Sequence, residues 1–371
     1  MTGTDSIEGM PEPLVDVTVA VHSAARPIHR IVGSILDGTV APVRVNVVVH
    51  NMDRAPIERN LAGYLHDERL RLLELRDGIA SPAGPLNHGL AHSTAPFVSV
   101  AGSDDEFAPG AIDSWLSVQR ATSAEVVLAR IALADGRTDP YPPVRRGRRM
   151  RDLDPCKDRL SYRSAPLGLV DRARHGELRF TPGLASGEDL DYTGALWFTS
   201  SAIAYDLDGP PYVIHDDATD RVTRAPRSVA ADFGFLDAVE HSSWFTALDA
   251  RARRAVVVKY LRMHVFDAIH ARIGDEELLR EHRDDLVALV ARLRRLSPEA
   301  FALLSRADAA VLAALAEQQL DAHRLRALLQ ARQSYRSIRA VVPANPLLVL
   351  DSQAPLRTLF AGARAMSAPR R

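Results

Sequence analysis

Two Val-rich runs, VDVTVAV at Val15–Val21 and VRVNVVV at Val43–Val49, are of strand length and bounded by turn residues, which predicts two buried strands. Between them, PIHRIVGSILDG places Ile28, Ile31, Val32 and Ile35 at i, i+3, i+4 and i+7, one apolar face of a helix. Strand, helix and strand in so short a span predict a βαβ unit, and with it a parallel sheet with a right-handed crossover. RLRLLEL supplies a third strand and PFVSVAG a fourth. After Pro109 a further helix carries Ile112, Trp115, Leu116 and Gln119 on one face.

From about Ala230 the pattern changes to Ala, Leu and Arg with helical periodicity, as at Leu286, Leu289, Val290 and Leu293. Ser297-Pro298 predicts a helix start, with Ser as N-cap and Pro in the first turn. The segment RARRAVVVKYLRMHVFDAIHARI gathers Val257, Leu261, Val265, Ala268 and Ile269 near one face. Arg251, Arg253, Arg254, Lys259 and Arg262 crowd its first half. Docking within the chain is the commonest fate of such a helix; pairing with another subunit or lying on an anionic membrane are the alternatives. The expected division is an α/β domain over 1–227 and an α-helical domain over 228–371, with the helices from Asp284 to Gln333 forming a small bundle.

The chain has 371 residues, 46% hydrophobic and 25% charged, ordinary values for a globular protein and enough for two cores. Net charge is −1, so no global field selects nucleic acid or a membrane surface. The single cysteine, Cys156, excludes a disulfide framework within the chain and fits a reducing compartment. The polar, acidic start lacks the features of a signal peptide, and no apolar run approaches the ~20 residues of a membrane-spanning helix. The expectation is a cytoplasmic protein. Of the 46 basic residues only Lys157 and Lys259 are lysine. Arg137 to Arg159 is a Pro-rich basic segment, read either as a solvated loop or as an electropositive rim for a phosphate-bearing acceptor.

VSVAGSDDEFAPGAI sets Asp104 and Asp105 where a parallel strand ends, the edge at which open α/β sheets bind ligands. Hard oxygen donors there suit Mg²⁺ or Mn²⁺ bridging a diphosphate. The plainer alternative is that Asp105 and Glu106 favour the N-terminus of the next helix.

Five motifs in order, VTVAVHSAARP, VNVVVHNMD, GPLNHGLAHSTAPFVSV, AGSDDEFAPGAI and ASGEDLDYTGALWF, followed by YVIHDDATDRVTR, resemble the glycosyltransferase family 2 enzymes of the GT-A fold. The resemblance covers roughly Val15 to Arg224. It implies a Rossmann-like, mostly parallel sheet flanked by helices, and an inverting transfer from a nucleotide sugar of the UDP type, with Mn²⁺ or Mg²⁺ as cofactor. By position, Asp189 matches the catalytic base and Glu188 its neighbour. Val21, His22, His50, Asn51, Asn87, Ser103, Asp104, Arg221 and Arg224 match donor-binding positions, and Asp104, Asp105 and His215 match the metal site.

Three positions depart from the family pattern. Gly102 stands where the family usually carries a ribose-contacting Asp, His50 where an Asp reads uracil, and Leu86 where an Arg precedes Asn87. Asn51 or Asp53 can supply a substitute acceptor at the base. For His88, His92, His264 and His270 structural roles are expected.

A nicotinamide-dependent dehydrogenase would need a Gly-rich turn after the first strand, and VHSAARP has none. A GT-A-like scaffold or carbohydrate-binding protein without activity is the remaining alternative. By resemblance the acceptor is a hydroxyl of a cell-surface glycopolymer: a polysaccharide, a polyol phosphate of the teichoic acid kind, or a lipid-linked saccharide. A peripheral contact with the inner face of the membrane and self-association through the helical domain complete the expectations. No nucleic-acid partner is expected.

Overall fold

The computed structural model describes residues 11–145, 150–217 and 227–366. The chain divides into two compact units. The first comprises 1–136, 166–180 and 204–220, and the second 137–165, 181–203 and 221–371. The helical unit thus includes two stretches upstream of residue 227.

The first unit is built on a seven-stranded sheet. In chain order its elements are β1 (Val15–Val21), α1 (Ile28–Leu36), β2 (Val43–His50), α2 (Arg54–Asn60), β3 (Leu70–Leu75), α3 (Ala83–Ala91), β4 (Phe97–Gly102), β5 (Glu106–Phe107), α4 (Ala111–Thr122), β6 (Val126–Ala129), β7 (Ile131–Leu133), β8 (Gly168–Asp171) and α5 (Arg172–His175). After α6 (Asp189–Thr199) come β9 (Ile203–Asp206) and β10 (Tyr212–Ile214). The sheet order is β3-β2-β1-β4-β8-β6-β9, and β5-β10-β7 form a second, three-stranded sheet.

β3, β2, β1 and β4 are mutually parallel, while β8 runs antiparallel to β4 and β6. The four strands and first helix expected from the pattern are all present. β1 and β2 are almost wholly buried, as continuous Val-rich parallel strands should be.

Polar residues pin the N-terminal ends of these strands. Asp16 faces Arg44 across the β1–β2 ladder and is fully buried. Arg44 donates from Nε at 2.6 Å and Nη2 at 2.7 Å to the two oxygens of Asp16. The backbone N–H groups of Thr94 and Ala95 donate to the same carboxylate. A buried ion pair with its lone pairs so filled escapes most of the desolvation penalty.

The second unit is helical, with α6 followed by α7 (Val229–Asp232), α8 (Phe235–His241), α9 (Ser243–Thr246), α10 (Ala250–Lys259), α11 (Phe266–Arg272), α12 (Glu276–Leu296), α13 (Arg306–Ala316), α14 (Ala322–Arg332), α15 (Ile338–Val341) and α16 (Pro355–Met366). Between α10 and α11 the helix widens into a π-turn over Tyr260–Val265. Val257, Leu261, Val265, Ala268 and Ile269 are all buried, so this helix is docked as the pattern predicts. Its cations do not form a free basic face. Arg254 pairs with Asp351, Arg262 donates to the carbonyls of Gln353 and Leu303, and Lys259 is buried. Ser297-Pro298 opens a short 3₁₀ turn, Pro298–Leu303, in which the Ser297 side chain makes no capping bond.

Candidate active site

Register places the candidate donor residues of the first unit. Val21 pairs with Val49, and Ala20 with Gly102, so β1, β2 and β4 end level with one another. His22, His50 and Ser103 follow at the carboxyl edge of three adjacent parallel strands. The order β2-β1-β4 makes this the switch point of the sheet, where the loops leave a crevice.

His50 is buried at the end of β2. Its Nε2 lies 2.8 Å from Asp77 Oδ1, and since a carboxylate only accepts, the imidazole donates. Asn51 takes a left-handed φ of 54°, which an Asn tolerates better than most residues. From there its amide donates to Asp77 and to the Ile79 carbonyl, and its Oδ1 accepts from the Gly78 N–H. The Ile79 N–H, then His50 and Asn51, hold Asp77 down to about 2. Pattern reading missed Asp77; the Asp-Gly that follows β3 is the signal that marks it.

Asn87 uses both ends of its amide on one residue. Nδ2 donates to the Phe180 carbonyl and Oδ1 accepts from the Phe180 N–H, each at 2.8 Å. It clamps that segment to α3.

The acids after β4 divide into two roles. Asp104 forms a 2.7 Å ion pair with Arg26, which sits in the loop between β1 and α1. Asp105 turns back instead. Its Oδ2 accepts from the Tyr212 hydroxyl and its Oδ1 from the His215 N–H. Antiparallel pairing of Val213 with Glu106 brings β10 to this position. Burial, then Asp105, pushes the Tyr212 hydroxyl far above its usual range, so it stays a donor. The His215 ring lies 3.1 Å from Glu106 Oε2.

The bend of Asp105 accounts for Gly102. A Cβ at residue 102 would collide with the Asp105 carboxylate, so no side chain can stand there while Tyr212 holds Asp105 in place. The helix-start role considered for Asp105 and Glu106 does not apply, since Glu106 opens β5 and α4 begins only at Ala111.

Among the described residues no three or more His, Cys, Asp or Glu gather as a metal site would. The donor chemistry still fits a magnesium-class cation, which takes one or two carboxylates and completes its shell from water and substrate phosphate. Asp104 is a carboxylate of that kind. Its neighbour Asp105 accepts one bond on each oxygen, from Tyr212 and from the His215 N–H. Arg221 and Arg224 lie outside the described residues.

In the second unit, Glu188 and Asp189 begin α6, where the helix dipole favours negative charge. Gly187 sets the turn with φ 75°, and a Cβ there would meet the Phe235 ring at 2.8 Å. The Glu188 carbonyl accepts from the Thr181 N–H, and the Thr193 hydroxyl donates to the Asp189 carbonyl. Burial, and next the charge of Glu188, pushes the Asp189 carboxyl up to about 7, against the pull of Lys259. Burial also raises Glu188, with Arg227 opposing. Such a carboxyl is matched to proton transfer near neutral pH. No helix among the described residues is long and apolar enough to cross a membrane.

No family model matches the chain, and no curated protein matches it. Solved structures do. S. aureus TarS 1–349 in complex with UDP-GlcNAc aligns with TM-score 0.67 at 15% identity, covering 87% of this chain and 91% of that one. The same TarS piece in complex with UDP aligns with TM-score 0.60 over the same shares. The longer S. aureus TarS structure aligns with TM-score 0.59, and there 88% of this chain spans only 54% of the other. The fold is that of the GT-A-type TarS, an α/β sheet domain with a helical C-terminal region.

Proposed function

We propose that the chain is an inverting glycosyltransferase that moves a sugar from a UDP-type donor to a hydroxyl of a cell-surface glycopolymer or lipid-linked saccharide. The observation that carries this reading is the poised Asp189 at the start of α6, in a chain with the fold of a protein solved with UDP-GlcNAc.

The first unit holds the donor. The strand ends at Val21, His22, His50 and Asn51 take the nucleoside side, with Asp77 as the carboxylate that replaces the missing Asp at residue 50. Ser103 and Asp104 take the diphosphate side. Asp104, with His215, would hold Mn²⁺ or Mg²⁺, which when bound neutralises charge on the departing diphosphate.

Asp189 acts on the acceptor. Its carboxylate takes the hydroxyl proton as the acceptor oxygen bonds to the anomeric carbon. The bond from that carbon to the diphosphate oxygen breaks, and its electron pair leaves with the nucleoside diphosphate. One base suffices because the leaving group is already stable, and displacement from the opposite side inverts the anomeric centre.

Calorimetric titration with UDP and UDP-GlcNAc, with Mn²⁺ and with EDTA, tests the donor half. Release of UDP from UDP-GlcNAc in the unmodified protein but not in Asp189→Asn tests the reaction. Absence of both binding and release under all these conditions would sink the reading.

A further inference from the structure

We propose that the surface formed by the last helices, residues 335–366, docks on an anionic lipid bilayer. Such docking is independent of the sugar and the acceptor that the chain uses.

Nine large hydrophobic side chains are exposed among the described residues, and six of them, Tyr335, Ile338, Leu347, Leu350, Phe360 and Met366, fall in this one stretch. The other three, Val40, Leu65 and Ile79, are scattered over the first unit. Single exposed apolar residues are ordinary, whereas a concentration of them marks a surface made to be covered.

The backbone beneath these side chains is anchored. The N–H groups of Ala344 and Asn345 donate to the carbonyls of Leu304 and Ala302, Asp351 pairs with Arg254 of α10, and the buried Gln353 donates to the Cys156 carbonyl. The Asn345 side chain accepts from the Leu347 N–H and caps the 3₁₀ turn Pro346–Leu348, which presents Leu347 to solvent at 89% exposure. α16 is seated on its small residues. Gly362 and Ala365 are buried, and a Cβ on Gly362 would meet Pro140 at 3.5 Å. Two residues span about 200° of helix, so Phe360 stands on the side away from Gly362, 64% exposed. A helix that used its apolar face for packing inside its own domain would turn Phe360 inward and Gly362 outward.

Arginines accompany the apolar side chains. Arg336 and Arg339 are exposed next to Tyr335 and Ile338. Arg357 and Arg364 are also exposed, three residues before and four after Phe360, on its face of α16. Asp351 is the one acidic residue in 333–366, and Arg254 occupies it at 2.8 Å. A second copy of this face would set arginine against arginine, which opposes self-association. Anionic headgroups instead complement the charge, while the apolar side chains enter the boundary beneath them. The helix that the sequence offered for membrane contact has its apolar face, Val257, Leu261 and Val265, buried in the unit.

Sedimentation of the full chain with phosphatidylcholine vesicles, with and without phosphatidylglycerol, tests this. The chain should pellet with the anionic vesicles and not with phosphatidylcholine alone, and salt should release it. Leu347→Ser with Phe360→Ser, and separately Arg336→Gln with Arg339→Gln, should each lower the partition coefficient about tenfold or more. All four side chains are exposed, so the unfolding midpoint should hold. Val40→Ser with Leu65→Ser, on the first unit, should leave binding unchanged. Failure to pellet with anionic vesicles overturns the proposal, and so does binding that ignores phosphatidylglycerol. Binding that survives either pair of changes in 335–366, or is lost in Val40→Ser with Leu65→Ser, overturns it as well. A dimer in sedimentation velocity that Leu347→Ser with Phe360→Ser dissolves would assign the face to a second copy, and overturns it equally.

Discussion

Arg26 and Asp104 form a nearly buried ion pair, Nη1 to Oδ2 at 2.7 Å, with side chains 8% and 11% exposed. We propose that a cation held by Asp104 competes with Arg26 for Oδ2, and that a guanidinium so released turns to a diphosphate, for which its planar fork is suited. Asp104→Ala should abolish Mn²⁺-dependent tightening of UDP. Arg26→Lys should keep the tightening but weaken UDP in EDTA. Calorimetry separates the two. Equal Mn²⁺ dependence in the unmodified protein and Asp104→Ala would remove Asp104 from the metal site.

A carboxyl raised to about 7 is active only in its ionised form. The fraction ionised falls as pH drops through that value, so turnover should decline tenfold per unit below it and level off above. Asp189→Asn should cost ~10²-fold or more above that value, where the base is ionised, and progressively less below it, while donor affinity is retained. A rate profile flat from pH 5 to 9 would show that another group takes the proton.

The sheet and its edge were legible because buried parallel strands leave continuous apolar runs, as at Val15–Val21 and Val43–Val49, and because strand ends fix where loops gather. The docked helix was equally plain at Val257, Leu261 and Val265. Long-range polar pairs were not. Arg26 with Asp104, Tyr212 with Asp105 and Asp77 with His50 join residues 78, 107 and 27 positions apart, and no periodicity encodes them. Lys259 is a further case: it stands among the arginines of its helix, and nothing in that pattern marks it as buried.

Asp77 should select the nucleobase. Uracil presents an N3–H donor and cytosine an acceptor at the same place, so a carboxylate favours uracil, and a site built for that bond rejects the base lacking it. Competition between UDP and CDP should favour UDP in the unmodified protein, and Asp77→Ala should erase most of the difference. His50→Phe, which leaves Asp77 without that donor, should weaken UDP to a lesser degree. A preference that survives in Asp77→Ala would place the base elsewhere.

The Asp16–Arg44 pair lies at the far end of the same strands from the candidate donor residues. Asp16→Ala leaves a buried guanidinium and two backbone N–H groups without their acceptor, a loss of ~3–5 kcal/mol. Urea unfolding should show it as a lower midpoint, with UDP affinity intact in whatever folds. A change below about 1 kcal/mol would mean that water replaces the carboxylate there.

Tyr212 separates bracing from metal binding at Asp105. Its hydroxyl accepts from the Gly102 N–H at 2.9 Å and donates to Asp105 Oδ2, so one oxygen ties the end of β4 to β10. Tyr212→Phe removes both bonds inside a buried site. Leaving a buried donor unsatisfied costs ~1–3 kcal/mol, and the unfolding midpoint should fall accordingly. Asp105, no longer held, can swing toward the position that a Cβ on Gly102 would have filled. If Asp105 is a brace, Tyr212→Phe and Asp105→Asn should both destabilise, and Mn²⁺ should still tighten UDP in each. If Asp105 is a ligand, Asp105→Asn alone should lose the Mn²⁺ effect. The bonds from Tyr212 and His215 already occupy an oxygen each, so the first pattern is the one expected.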